Sequence, residues 1–171
     1  MAEKQNPMRD IRMTKITLNI GTGESGVKLE KAQKLLEKLT KKKVVITKTH
    51  DRTTFGMAKD RPIGVKVTLR KEDAKKFLKP ALQSIGNKLK ASQFDLSGSF
   101  SFGIAEYINI PGIKYDAEIG ILGFDVSVSL ERPGYRIKKR RQKPKKVGKK
   151  HQIKKEEAIE FAKKEWGLTI E

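Results

Sequence analysis

Cysteine is absent from the sequence, so neither a disulfide framework nor a thiolate metal site is possible. Histidine is nearly absent too: His50 and His151 are the only two, each beside charged residues and far apart in the chain. His50 with Asp51 is an adjacent pair, not a triad, and Glu156 and Glu157 sit among lysines and read as solvated. The three or four ligands of a metal site cannot be assembled, so no metal and no cofactor are expected. No apolar run approaches the roughly 18 residues a spanning helix needs, and MAEKQNPMRD at the start lacks the apolar stretch of a secretory signal. The expectation is a soluble, cytoplasmic protein with no membrane partner. Aromatics are scarce at 6%, and the strands lack the paired stacking motif of the common RNA-recognition sheet. Acidic residues are also short, 20 against 39 Lys and Arg.

That imbalance is the main positive signal. A chain of 171 residues with 36% hydrophobic residues can bury one moderate core, while the formal charge of +19 gives it a surface that repels itself and attracts a polyanion. KKRRQKPKKVGKK, residues 138–150, carries nine Lys or Arg and no acid, the composition of an arm that orders on nucleic acid. A solvated tail or a localisation patch is the alternative. Taking those nine charges from +19 still leaves about +10, so the basic character extends over the body.

Period-two alternation marks the strands. Ile16, Leu18 and Ile20 alternate with Lys15, Thr17 and Asn19; VVITKT (44–49) follows a lysine tract; Ile63, Val65, Val67 and Leu69 share one face of IGVKVTLR (63–70). FSFGI (100–104) and FDVSVSLE (124–131) complete the set, with Phe100 and Phe102 read as core. Helical spacing appears over 27–39, over 71–93 with Pro80 as a kink or restart, and over 154–166. Residues 1–13 read as a loosely ordered N-terminal arm, 14–135 as the body, and 136–171 as a basic segment with a last helix on the same domain. The fold class is α+β: one largely antiparallel sheet with helices on one face and the other face open.

The open face carries the functional argument. Lys15, Thr17 and Asn19 project from the first strand and Lys66, Thr68 and Arg70 from the third. If Val44 and Ile46 of the second strand face the core, Thr47 and Thr49 face out and Lys48 falls on the core side. Lys and Arg supply phosphate contacts, and Thr and Asn bond sugar hydroxyls and base edges, so this face fits an RNA platform as well as an ordinary solvated surface. The loop 50–62 mixes Arg52, Lys59 and Arg61 with Phe55, Gly56 and Met57; Phe55 could stack on nucleic acid or pack on a partner, or Phe55 and Met57 could tuck back onto the core. Gly21, Gly23 and Gly26 spell G-x-G-x-x-G after a strand and before a helix, the context of a dinucleotide-binding turn. Glu24 inside the would-be cradle and the lack of repeating strand–helix units oppose an enzyme; a tight turn explains the glycines. A general single-strand or membrane-surface binder, using only residues 138–150, is a third class.

NPMRDIR, TLNIGTGE, VVITKT, IGVKVTLR, FSFGI, PGIKYD and GFDVSVSLERPGYRIKKRR occur in that order. From about residue 6 to the C-terminus the chain resembles the large-subunit ribosomal protein family numbered five, whose eukaryotic members are numbered eleven. The basic segment and last helix are similar to the archaeal and eukaryotic branch. The resemblance implies a non-catalytic protein whose open sheet face binds 5S ribosomal RNA and attaches it in the central protuberance. It implies contacts with large-subunit ribosomal RNA, P-site transfer RNA, neighbouring ribosomal protein eighteen and, across a subunit bridge, small-subunit protein thirteen. Matching positions put Asn19, Thr47, Thr68 and Arg70 first as RNA contacts, with Lys15, Lys48, Thr49 and Lys66 behind them. Thr53, Thr54, Phe55, Gly56, Met57 and Lys59 match the loop that approaches transfer RNA. Arg136, Lys138, Lys139, Arg140, Arg141, Lys143, Lys145 and Lys146 form the basic segment assigned to ribosomal RNA.

Overall fold

A computed structural model describes residues 6–52 and 58–171. The elements run β1 (Arg12–Gly21), α1 (Val27–Thr40), β2 (Val45–Lys48), β3 (Pro62–Arg70), α2 (Lys71–Ser84), β4 (Lys88–Leu89), β5 (Phe100–Ile104), β6 (Phe124–Glu131), α3 (Arg136–Lys139), α4 (Lys155–Trp166) and β7 (Thr169–Ile170). Five strands form one antiparallel sheet in the order β2-β3-β1-β6-β5, and β4 and β7 pair in parallel as a separate two-stranded piece. This is the α+β architecture expected from the alternation.

The core follows from that alternation. Ile16, Leu18 and Ile20 of β1, Val65, Val67 and Leu69 of β3, Phe100, Phe102 and Ile104 of β5, and Val126, Val128 and Leu130 of β6 are all buried on one face. Helix α1 contributes Leu29, Ala32, Leu35 and Leu36, at helical spacing, and lies over β3. Helix α2 contributes Ala74, Leu78, Ala81 and Leu82 and lies over β1 and β3, continuing across Pro80 without a break. It stops at Ser84 instead of reaching 93, because Gly86 and Asn87 take positive φ (67° and 56°) and turn the chain into β4. Helix α4 buries Ala158 and Ala162 and brings Trp166 to within 5.8 Å of Phe100, ring centre to ring centre.

The N-terminal segment is more organised than its polarity suggests. The Asn6 side chain caps a short turn at Pro7–Arg9, and β1 begins at Arg12, inside the stretch read from sequence as a loose arm. Arg132, only 8% exposed, is what fixes it. Its Nε donates to the Arg9 carbonyl (3.0 Å), Nη1 to the carbonyls of His151 (3.4 Å) and Gln152 (3.2 Å), and Nη2 to the Glu157 carboxylate (3.1 Å). One guanidinium thus ties the N-terminal turn, the end of the basic segment and the start of α4. The backbone N–H of Lys154 and then the Arg132 charge hold the Glu157 carboxyl below the usual range, against the opposing effect of partial burial. Beside it the Tyr135 hydroxyl donates to the His151 carbonyl (3.1 Å) and accepts from the Ile153 N–H (3.0 Å).

Candidate nucleic-acid interface

Among the described residues no helix packs on the opposite face of the sheet, and the strand register sets out its side chains in rows. Paired residues project from the same side. One row reads Arg70, Lys15, Ser129; the next Thr68, Thr17, Ser127, Ser101; the third Lys66, Asn19, Asp125, Gly103. Lys66 and Arg70 are exposed, while Lys15, Asn19 and Thr68 are half-buried by their neighbours. The structure therefore brings five of the expected positions onto one patch of two central strands. The patch is basic along β3 and β1 and turns to hydroxyls along β6 and β5, with the Asp125 carboxylate in the third row.

Strand β2 follows the expected alternation as far as Thr47 and departs from it beyond. Val45 pairs with Lys66, which places it on the open side, 54% exposed, and Ile46 pairs with Val65 on the core side yet remains 42% exposed at the sheet edge. Thr47 pairs with Gly64 and shares the open face, where its hydroxyl lies over that glycine. A register shift between Thr47 and Lys48 then breaks the alternation. Lys48 is exposed, not on the core side. Alternation points Thr49 outward, but it is buried, 7% exposed. Its hydroxyl donates to the Ala58 carbonyl (2.7 Å) and accepts from the Arg61 N–H (2.9 Å), closing the base of the 50–61 loop. Thr49 is a loop clamp in this structure and offers no atom to a ligand on the sheet.

Gly64 explains how Thr47 fits. A Cβ there would stand 2.8 Å from the Ile20 carbonyl and 2.9 Å from Thr47 Oγ1. Gly64→Ala should therefore push β2 off the open face and cost about 1–3 kcal/mol. A thermal melt checks this; an unchanged melting temperature would mean that the edge strand moves freely.

Of the loop residues singled out from sequence, Thr53, Thr54, Phe55, Gly56 and Met57 lie outside the described residues, and Lys59 is exposed on a turn. The basic segment does not run out as an arm. Arg136–Lys139 forms a short helix, Lys145 N–H donates to the Ile137 carbonyl (3.1 Å), and Arg140 Nε donates to the Lys143 carbonyl (3.0 Å). Arg136, Lys138, Lys139, Arg140, Arg141, Lys143, Lys145 and Lys146 are all exposed, and Lys139 reaches back to Glu131 at the end of β6. The folding-back has a visible cause: Pro144 and Val147 line an apolar hollow with Leu96, Tyr135 and Ile153.

The glycine-rich turn does not make a cofactor site. Gly21 lies within β1 opposite Gly64, and Gly26, at φ 114°, precedes the first residue of α1. Strand β3 sits between β1 and β2 and is antiparallel to both, so the adjacent parallel pair of a dinucleotide-binding unit is missing. Among the described residues no cluster of His, Cys, Asp or Glu could hold a metal ion, and no helix is long and apolar enough to cross a membrane.

Comparison with known proteins agrees along nearly the whole chain. Residues 6–53 match the family described as Ribosomal protein L5, and residues 62–161 match the model for the C-terminus of that same ribosomal family. The chain is 51% identical over 175 residues to large ribosomal subunit protein uL5 of Sulfurisphaera tokodaii, covering 99% of this chain and 98% of that one. It is 52% identical over 168 residues to the uL5 protein of Nanoarchaeum equitans, covering 97% and 99%. With the antiparallel fold, the basic open face and relatives of this name at these identities, the chain belongs to the ribosomal protein L5 family of the large subunit, in its archaeal-like branch, a family of structural ribosomal proteins and not of enzymes.

Proposed function

We propose that this protein holds 5S ribosomal RNA in the central protuberance of the large subunit, with the open sheet face as the specific contact. The observation that carries the reading is the register: Asn19, Lys66, Thr68, Arg70 and Lys15 stand together on β1 and β3, uncovered by any helix among the described residues. Lysine and arginine neutralise phosphates, while Asn19 and Thr68 offer donors and acceptors to sugars and base edges. Thr47 extends the patch at the edge strand. Thr49 has no part in it.

The exposed cations of residues 136–146 contact large-subunit ribosomal RNA in this reading. The loop that includes Lys59 approaches P-site transfer RNA, and the protein neighbours ribosomal protein eighteen and bridges to small-subunit protein thirteen in the cytoplasmic ribosome. These finer assignments rest on the family likeness together with the surface positions described above.

The test is binding of 5S RNA against an unrelated structured RNA across a salt series, for wild type and for Asn19→Ala/Thr68→Ala. Wild type should keep a preference for 5S RNA at high salt, where phosphate contacts weaken, and the double variant should lose it. Equal binding of the two RNAs by wild type would reduce the affinity to electrostatics and remove the sheet as a specific site.

A further inference from the structure

We propose that Asp125, with Asn19 beside it, forms a base-reading subsite on the open face that takes the Watson–Crick edge of an unpaired guanine. The inference rests on the RNA-binding reading of that face.

A carboxylate in this place calls for an explanation. The chain carries a formal +19, and phosphates approaching the β3–β1 patch meet Lys66, Arg70 and Lys15. Asp125 lies in the same row as Lys66 and Asn19 and is exposed. The other acid on the outer side of β6, Glu131, is held by Lys139. No ion pair to Asp125 occurs among the described residues. Lys66 is two strand spacings away, roughly 10 Å, with Asn19 between them. A free carboxylate repels phosphate, so electrostatics alone makes it a cost on an RNA-facing surface.

The surroundings of Asp125 give it a different use. Asp125 and Asn19 border a shallow hollow of about 430 Å³ with Gly21, Gly103 and Gly123 along it. Three residues without side chains leave backbone as the floor, and a planar ring can lie against such a floor. Gly103 pairs with Asp125 across the strands, and a Cβ there would stand 3.4 Å from Asp125 Oδ1. Any larger side chain at 103 would cover the carboxylate from that flank. The absence of one leaves both oxygens open.

The chemistry then selects the base. An ionised carboxylate only accepts hydrogen bonds. Adenine and cytosine each present one amino group on the Watson–Crick edge and uracil one imino N–H. Guanine presents an imino and an amino donor side by side, which the two oxygens of a carboxylate match together. The Asn19 amide, next along the row, supplies both a donor and an acceptor to the same nucleotide. Bases are read in this way where RNA is unpaired and its edges are free.

Electrostatics and recognition predict opposite signs for one substitution. If Asp125 were only a solvated charge, Asp125→Ala would tighten RNA binding by removing a repulsion. As a guanine acceptor, its loss should weaken 5S RNA binding on the order of tenfold, with Asp125→Asn also weaker than wild type because one acceptor becomes a donor. The probe is a 5S RNA transcript carrying inosine at random guanine positions, which removes the 2-amino donor. Selection for bound transcripts should mark at least one guanine where inosine weakens wild type and has no effect on Asp125→Ala. Unchanged melting temperatures would show that the variants are folded, as expected for an exposed side chain. If wild type prefers 5S RNA but both variants bind as tightly or more tightly, or if no inosine position distinguishes wild type from Asp125→Ala, the subsite is overturned and the platform reading survives. If wild type shows no preference for 5S RNA, the platform reading falls and the subsite with it.

Discussion

Arg132→Leu should lower the melting temperature by roughly 5–15 °C, a larger loss than any single change on the open face. The side chain is buried and its guanidinium serves three carbonyls and one carboxylate. Leucine fills part of the space and donates nothing. The carbonyls of Arg9, His151 and Gln152 then lose their donor in a partly buried setting, where an unsatisfied group costs about 1–3 kcal/mol before relaxation. Glu157 loses less, since it is 41% exposed and keeps the Lys154 N–H. A net of about 2–4 kcal/mol follows, and at about 2–4 °C per kcal/mol for a domain of this size the melting shift follows from it. Arg132→Lys should recover little, because one ammonium cannot reach four acceptors arranged around a planar fork. Acidification gives an independent reading of the same clip. A carboxyl held low in the folded state stabilises it above the unfolded value and loses that stability as pH falls through the folded one. Wild type should therefore lose part of its advantage over Arg132→Leu in acid. A melting temperature within a degree or two of wild type would mean that the N-terminal turn and α4 are held elsewhere.

Neutralising the folded basic segment should act on RNA affinity and not on stability. Arg141, Lys143, Lys145 and Lys146 are exposed, and none of their side chains forms an ion pair among the described residues. Changing all four to Gln should weaken binding to any structured RNA on the order of a hundredfold near physiological salt and flatten the salt dependence by about three units in the log–log slope. The ratio of 5S RNA to unrelated RNA should hardly move, because phosphate contacts position and do not specify. Filter binding over a salt series measures both quantities. If the quadruple change abolished the preference as well as the affinity, the segment would be the specific site, and the sheet face would not.

The regular parts of this protein are legible because burial on one face leaves its period in the sequence. β1 from Lys15 to Ile20, β3 from Val65 to Arg70, and β6 alternate cleanly, and their outward residues follow once the strands are placed. What escapes is whatever depends on pairing. Strand β2 is short and at the sheet edge, so Val45 and Ile46 remain partly exposed despite their apolarity, and the register shift at Thr47/Lys48 reverses the sides expected for Lys48 and Thr49. No pattern within one strand reveals a shift set by its neighbour. The helix expected to reach residue 93 ends early at a Gly86–Asn87 turn, a breaker visible in the sequence but masked by the helical spacing of Ile85 and Leu89. Alternation alone makes Asp125 no more than one polar residue of a strand. Its place beside Asn19 and across from Gly103 exists only in the sheet.

The strand order also sets a timetable for synthesis. β3, β1 and β2 can pair once residue 70 is available, completing the half of the open face that holds Lys15, Asn19, Lys66, Thr68 and Arg70. The other edge of β1 belongs to β6, whose last residue is 131. At about 5–20 residues per second, some 3–12 s separate the two events. Throughout that interval the central strand of the finished sheet is an edge strand, its backbone N–H and C=O groups unpaired on one side. The nascent chain thus carries these cations in place before the carboxylate of Asp125 arrives, and it is open to wrong strand pairing throughout that interval.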